Sequence, residues 1–289
     1  MPPRRLALVA VPLLALAVLS GCSEKTDSGG ASGGGSASSP ASCAPADLPL
    51  KKSGTLTIAT DSPAYEPWFS GNDPSNGKGF ESAVAYAVAK QLGFSADQVT
   101  WVKQSFNTSY TPGPKSFDFD INQISVTPER ERAVDFSEGY YTAAQAVVTL
   151  KKNAAKAATL ADLKGLKLGA QTATTSLTAV REDVQPDQQP LVFSTTNDAK
   201  QSLLNGQVDA IVTDLPTAFY ITSAEIPGST ITGQFASSGS PEEFGLLMQK
   251  GSGLKGCVDQ AIDALKSDGT LAALEKKWLS DVVDVPVLK

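Results

Sequence analysis

No histidine occurs among the 289 residues. That absence removes Ser/His/Asp and Cys/His nucleophiles, His-Glu-x-x-His zinc sites, the iron facial triad and every imidazole proton shuttle. Chemistry, if there is any, would rest on Asp, Glu, Lys, Tyr, Ser or Thr, and no metal or cofactor is expected. Basic charge is also scarce: Lys and Arg total 24 against 30 Asp and Glu, for a net charge of −6. A nucleic-acid footprint needs a dense basic stripe and an anionic lipid surface needs a polybasic patch, so the expected partner is a small molecule.

What is present begins with an address. Arg4 and Arg5 precede an apolar run over residues 6–19, which reads as a secretory signal spanning 1–21. At 14 residues the run is shorter than the roughly 20 needed to cross a bilayer. It ends in Leu19-Ser20-Gly21-Cys22, which resembles the bacterial lipobox, and Cys22 would then carry a palmitate-bearing lipid anchor. Residues 23–42 hold seven Ser and five Gly and almost nothing apolar, so 22–50 is expected to be a tether. A coil of that kind reaches roughly 25 Å. Export permits disulfides, and Cys43 with Cys257 are the remaining cysteines; a bridge between them is expected, the alternative being two unpaired thiols.

From Gly54 onward, β-branched runs alternate with helical periodicity, which predicts an α/β fold of two units at roughly 150 residues per domain. Residues 56–60 and 99–102 read as strands, separated by a helix on which Phe80, Val84, Val88 and Leu92 recur before Gly93. Phe117, Phe119, Ile121 and Ser125 alternate as a further strand. A second series places strands at 166–170, 191–193 and 209–213, each running into a polar turn and a helix. Residues 244–249 read as a late strand, followed by helices carrying Val258, Ala261, Ile262 and Leu265, then Leu271, Leu274 and Trp278. Sheets of this kind place ligands beyond the carboxyl ends of their strands.

Several side chains sit at those ends. In Ser125-Val126-Thr127-Pro128-Glu129-Arg130, Thr127 and Pro128 form an N-cap and N1 pair, placing Arg130 in the first turn of a helix. A guanidinium there opposes the helix dipole unless an anion intervenes, so Arg130, Ser125 and nearby backbone N–H groups suit a carboxylate; a solvated charge run is the alternative. Thr174 and Thr175 open a helix in the second series and offer similar donors, or serve only as caps. Asp214 precedes Pro216 and suits either an N-cap or an ammonium group. Tyr65, Trp68 and Phe106 could supply aromatic walls, whereas Phe69 reads as core. The segment from Asp118 to Glu129 mimics an EF-hand loop but carries Gln123 where that loop needs glycine. Ser252-x-x-Lys255 lacks its companion motifs.

Together these segments resemble the amino-acid-binding, family 3 group of ABC-transporter extracellular solute-binding proteins, from about Gly54 to Leu279. The carriers are Gly54-Thr-Leu-Thr-Ile-Ala-Thr-Asp61 with Tyr65-Glu-Pro-Trp68 and Gly79-Phe80-Glu81, then Thr127-x-x-Arg130 with Val134-Asp135-Phe136-Ser137-x-x-Tyr140. Gly165-Leu-Lys-Leu-Gly169 with Thr174-Thr175, Gly206-x-Val208-Asp209-Ala210 with Asp214, and Asp268-Gly269-Thr270 with Lys277-Trp278 complete the pattern. The resemblance implies a two-lobed periplasmic-binding-protein-like fold (type II) with two crossings, near residues 146–149 and 238–244. Lobe 1 would hold 51–147 and 239–289, and lobe 2 would hold 148–238. It further implies that Arg130, Ser125 and Thr175 hold a ligand's α-carboxylate and Asp214 its α-ammonium. Tyr65, Trp68, Phe106 and Thr174 would complete the pocket, with Gln123 where the family often has Gly or Ser. Ala173 stands in place of a family glycine.

On that resemblance the chain is expected to be a monomeric lipoprotein on the outer face of the cell membrane. It would capture a free amino acid with a polar or charged side chain and deliver it to ABC permease subunits. The alternatives are a dehydratase-type enzyme on the same fold, with Glu81 or Glu243 as its acid, and a ligand-sensing partner of a receptor. A site of arginine, carboxylate and hydroxyls is expected to bind almost independently of pH between about 6 and 8.

Overall fold

The computed structural model describes residues 42–236, 241–279 and 285–289. The signal, Cys22 and the tether as far as residue 41 lie outside the described residues. The tether expected to run to residue 50 ends earlier. Cys43 is disulfide-bonded to Cys257 with their Cα atoms 5.5 Å apart, and Leu48 is buried in the core.

In the first lobe, β1 (Leu56–Thr60) is buried along its whole length. It leads through a loop to α1 (Phe80–Gln91), which buries Phe80, Val84, Ala85 and Val88. The helix can start there because Gly79, at φ 92°, lacks a Cβ that would collide with the Trp68 carbonyl. There follow β2 (Val99–Lys103), the single turn α2 (Phe106–Ser109), β3 (Phe119–Asp120), the single turn α3 (Pro128–Glu131) and β4 (Val134–Ala143). The long alternating strand expected around 117–125 shrinks to two residues. Residues 117–122 are all buried, so no solvent face exists for an alternating strand to present.

Ala144 alone separates β4 from β5 (Gln145–Leu150), which opens the second sheet. This lobe continues with α4 (Leu160–Lys164), β6 (Leu168–Gln171), α5 (Thr175–Ala179), β7 (Leu191–Phe193), α6 (Thr196–Leu204), β8 (Ala210–Asp214), α7 (Leu215–Tyr220) and β9 (Ser229–Gln234). The chain returns to the first sheet as β10 (Glu242–Gln249), then α8 (Lys255–Ser267) and α9 (Thr270–Trp278).

The sheets order as β2-β1-β3-β10-β4 and β7-β6-β8-β5-β9. β1 pairs parallel with β2 and β3, whereas β10 pairs antiparallel with β4, from Glu242 opposite Ala143 to Gln249 opposite Val134. The first crossing therefore falls at residue 144 and not at 146–149, which are central β5 residues paired on both sides to β8 and β9. Part of the second expected crossing, 238–240, lies outside the described residues. The two sides of β5 feed two cores as its period of two requires. Val147 packs with Leu168, Val180 and Val212, and Ala146 and Val148 pack with Leu203, Ile211 and Ala218.

The C-terminal residues differ from the expectation that 239–289 belongs to one lobe. Val287 pairs with Gln234 of β9, and Leu288 is buried against Val147 and Phe235 of the second lobe. The physical reason is the edge of β9, whose Gln234 otherwise leaves backbone groups unpaired: Gln234 N donates to Pro286 O at 2.9 Å, and Leu288 N to Gln234 O at 2.8 Å.

Candidate functional site

The carboxyl ends of the central strands face one cavity between the two sheets, enclosing about 820 Å3 with its open mouth. Its inner end is built where the chain crosses. Asp214 ends β8, Gln145 opens β5, Thr175 opens α5, Ser125 precedes α3, and Glu242 opens β10. Ser125 Oγ donates to Glu242 Oε1 at 2.5 Å and Thr175 Oγ1 donates to the same oxygen at 2.7 Å. Gln145 Nε2 donates to Asp214 Oδ1 at 2.8 Å and to Glu242 Oε2 at 3.1 Å. One amide thus ties two carboxylates together, and Ser176 Oγ fixes its other end by donating to Gln145 Oε1 at 2.5 Å. Burial pushes the Asp214 carboxyl up to about 7, and the neighbouring Glu242 charge adds to the rise.

Arg130 is buried at 8% exposure on α3, capped as expected by Thr127, whose Oγ1 accepts from Arg130 N at 3.2 Å. Its guanidinium stacks near the rings of Tyr110 (4.9 Å to the centroid) and Phe106 (5.6 Å). Nη1 donates to Ser125 O at 2.7 Å and Nη2 donates to Ala173 O, in the other lobe, at 2.9 Å. Loss of hydration lowers its pKa from the usual arginine value. Arg130 lines a recess beside Thr174 and Thr175 but not the main cavity, so it acts here as a clamp between lobes. Ala173 presents its carbonyl from φ 60°, the left-handed conformation that suits the glycine it replaces.

Of the expected aromatic walls, Tyr65 and Phe106 line the cavity. Trp68 does not: it is fully buried among Phe80, Tyr141 and Phe244, and its Nε1 donates to Thr217 Oγ1 of α7 at 2.9 Å. The indole therefore joins the lobes from below the site. Thr174 lines the cavity, but its hydroxyl is committed to capping α5, accepting from Leu177 N and donating to Gln171 O. Gln123 also lines the cavity, at φ 48°, a left-handed conformation that glycine adopts without strain. Its side chain and backbone N–H both donate to Glu81.

Glu81 lies beneath the cavity floor, fully buried, where it also accepts from the Tyr140 hydroxyl; burial pushes it up to about 8. Asp120 is equally buried, pushed up to about 7, and accepts from the Ser109 hydroxyl. Glu243 lies outside the cavity against Gly139. Neither glutamate that could serve an enzyme as acid lines the cavity. The carboxylate of Asp118, in the EF-hand-like segment, is taken up by the backbone N–H groups of Lys51 and Thr57, both at 2.7 Å.

Sequence reasoning missed the outer end. Lys200 of α6, 8% exposed, reaches Glu225 with Nζ at 2.6 and 2.7 Å from the two oxygens and stands 5.8 Å over the Tyr65 ring. Asp61 and Glu66 line the same end. Gln145 and Glu242 were missed as well. The signal for both was the position of the crossings: the first residue after each crossing strand's entry must sit at the cleft.

Two α/β lobes, each with a five-stranded sheet, joined by extended crossings and enclosing a polar cavity, define a periplasmic binding protein of type II. The chain belongs to the bacterial extracellular solute-binding proteins, family 3, whose pattern it matches over residues 56–281. It is 30% identical over 236 residues to the L-cystine-binding protein TcyJ of Escherichia coli (strain K12), covering 79% of this chain and 84% of that protein. An ancestral arginine-binding protein bound to glutamine superposes with a TM-score of 0.67 at 32% identity, covering 79% of this chain and 99% of the other. The ancestral amino acid-binding protein AncCDT-1, a precursor of cyclohexadienyl dehydratase, superposes with a TM-score of 0.66 at 30% identity, covering 78% and 95%. No helix among the described residues is long and apolar enough to cross a membrane.

Proposed function

We propose that this chain is the amino-acid-binding component of an ABC importer, held to the outer face of the cell membrane through Cys22 and working as a monomer that delivers its ligand to the permease subunits. The carrying observation is the cavity's charge: four of its lining residues are carboxylates (Asp61, Glu66, Asp214 and Glu225) and one is an ammonium, Lys200. With Lys200 paired to Glu225, the remaining acids favour a ligand with an α-ammonium at the inner end and a cationic group at the outer end. The α-carboxylate would reach the N–H groups of Arg130 that are not given to Ser125 O and Ala173 O past Thr174 and Thr175, which line both the cavity and the Arg130 recess. A binding role is supported by the burial of Glu81 and the position of Glu243, which keep the two acids expected of a dehydratase out of the cavity, and by relatives that are themselves binding proteins.

Titration calorimetry against the twenty amino acids, L-cystine and L-ornithine tests this reading. L-arginine, L-lysine or L-ornithine is expected to bind in the micromolar range or tighter and neutral amino acids at least tenfold more weakly. L-cystine is the competing result, because the Lys200–Glu225 pair also presents both signs to a second zwitterionic end. Absence of binding by every compound would overturn the assignment.

A further inference from the structure

Between β3 and α3 the chain passes from one core to another. Ile121 packs with Phe80 and Phe244, Ile124 packs with Phe106 and Phe136, and both are fully buried. Main-chain bonds fix the two ends of this passage: Ile121 N donates to Ala59 O at 3.0 Å, and Gly245 N donates to Ile124 O at 3.1 Å. Asn122 and Gln123, between those ends, line the cavity together with Ser125. The turn is made at Gln123, at φ 48°, where the Cβ of any residue but glycine crowds its own main chain. Such a conformation persists only where its surroundings impose it. Glu81, near the start of α1, holds this residue by both of its donors. Its Oε1 accepts from Gln123 N at 2.7 Å, and its Oε2 accepts from Gln123 Nε2. Oε1 also accepts from the Tyr140 hydroxyl on β4, so one carboxyl joins α1, β4 and the cavity floor. Glu81 is 0% exposed and does not line the cavity, so it has no surface to offer a ligand.

We propose that Glu81 is a positioning residue for ligand binding: by taking both the main-chain N–H and the side-chain amide of Gln123 it imposes the left-handed turn that shapes the cavity floor from Asn122 to Ser125. This rests on reading the cavity as an amino-acid site. The role requires hydrogen bonds and not charge. A glutamine at position 81 keeps all three bonds, because its Oε1 accepts from Gln123 N and the Tyr140 hydroxyl while its Nε2 donates to Gln123 Oε1 once that amide turns over. Methionine matches the length of Glu81 but lacks its strong acceptors. Glycine at position 123 needs no such hold, because it adopts the turn unaided.

The test titrates wild type, Glu81→Met, Glu81→Gln, Gln123→Gly and the double variant Glu81→Met/Gln123→Gly with the amino acid selected by calorimetry, L-arginine being the expected one, and melts each protein alongside. Glu81→Met is expected to weaken binding at least tenfold, and Glu81→Gln less than threefold. In the double variant the loss, measured against Gln123→Gly alone, is expected to stay below threefold, although Glu81→Met lowers Tm in both backgrounds. If melting shows Glu81→Met unfolded at 25 °C, Glu81→Asp replaces it in every comparison, since its carboxylate is one methylene too short to reach both donors. Unchanged affinity in Glu81→Met beside a lowered Tm would make Glu81 a residue of stability alone. An equal loss in the glycine background would show that it does not act through Gln123, and a Glu81→Gln variant as weak as Glu81→Met would assign the effect to charge. Each of these overturns the positioning role while leaving amino-acid binding intact. A wild type that binds no amino acid overturns both readings.

Discussion

At the scale of single residues, the site shows how burial rewrites charge. The side chains expected to bind, taken at their ordinary pKa values, give pH-independent affinity. Loss of hydration and the neighbouring Glu242 charge instead push the Asp214 carboxyl above the usual carboxylate range, only partly offset by Gln145 and the Arg130 charge. An arriving ammonium favours the ionised form. Affinity for an α-amino acid with a non-titrating side chain such as L-arginine is therefore expected to rise from pH 6 to pH 8 as this raised carboxyl ionises. The same shift acts on stability with the opposite sense. The folded pKa lies above the unfolded value of 3.8, so the empty protein loses stability as pH rises from about 4 through 7, and ligand offsets part of that loss. Calorimetry at pH 6, 7 and 8 in buffers of different ionisation enthalpy checks both the affinity and the proton released on binding. A flat profile, or an Asp214→Asn variant with the same slope as wild type, would refute the account.

At the scale of elements, the lobes are joined by hydrogen bonds around the cavity, two from neutral donors and one from a guanidinium. Trp68 Nε1 donates to Thr217 Oγ1, Asn107 Nδ2 to Ser194 O at 3.3 Å, and Arg130 Nη2 to Ala173 O. Trp68→Phe keeps the aromatic packing against Phe80, Tyr141 and Phe244 but deletes one of these bonds. One such bond contributes about 1 kcal/mol, so ligand affinity should fall about fivefold while Tm falls by less than about 4 °C. Unchanged affinity would show that the bond does not contribute to closure. Helices and strands with a clear period were legible in the sequence: α1 occupies the residues its Phe80-Val84-Val88 spacing marks, and β1 and β2 stand as expected within a residue. β3 was not, because a segment buried on both sides carries no alternation to read. The first crossing was misplaced because β5, buried between two partners, has the same apolar composition as a linking strand would have. Among site residues, Arg130 and Asp214 could be picked out by their place at strand ends. Lys200, Glu225, Gln145 and Glu242 could not, since their roles arise from contacts between residues 25 to 117 positions apart.

At the scale of the whole molecule, the described chain starts and ends by being tied down. The C-terminal residues close the edge of β9, and Cys43, just inside the tether, is bonded to Cys257 on α8, 214 positions away. Cys257 is 2% exposed within the core that α8 shares with α1, and neither cysteine lines the cavity. The bridge therefore acts on the unfolded chain and on the anchoring of residues 43–50, not on the ligand site. In the chain-entropy picture, a closed loop of this length contributes about 5 kcal/mol. Opening it should lower Tm by about 10 °C or more in a protein of this size, while ligand affinity at 25 °C stays within about twofold. Cys43→Ser is the variant of choice, since Cys43 is only partly buried and its replacement leaves the α8 core intact. Calorimetric melting of wild type with and without reductant, alongside Cys43→Ser, measures the first effect, and ligand titration measures the second. A large fall in affinity on reduction would mean that the strain of anchoring the tether reaches the cavity, and a Tm unmoved by reduction would mean that the packing of Leu48 and its neighbours fixes the N-terminal segment without the bridge.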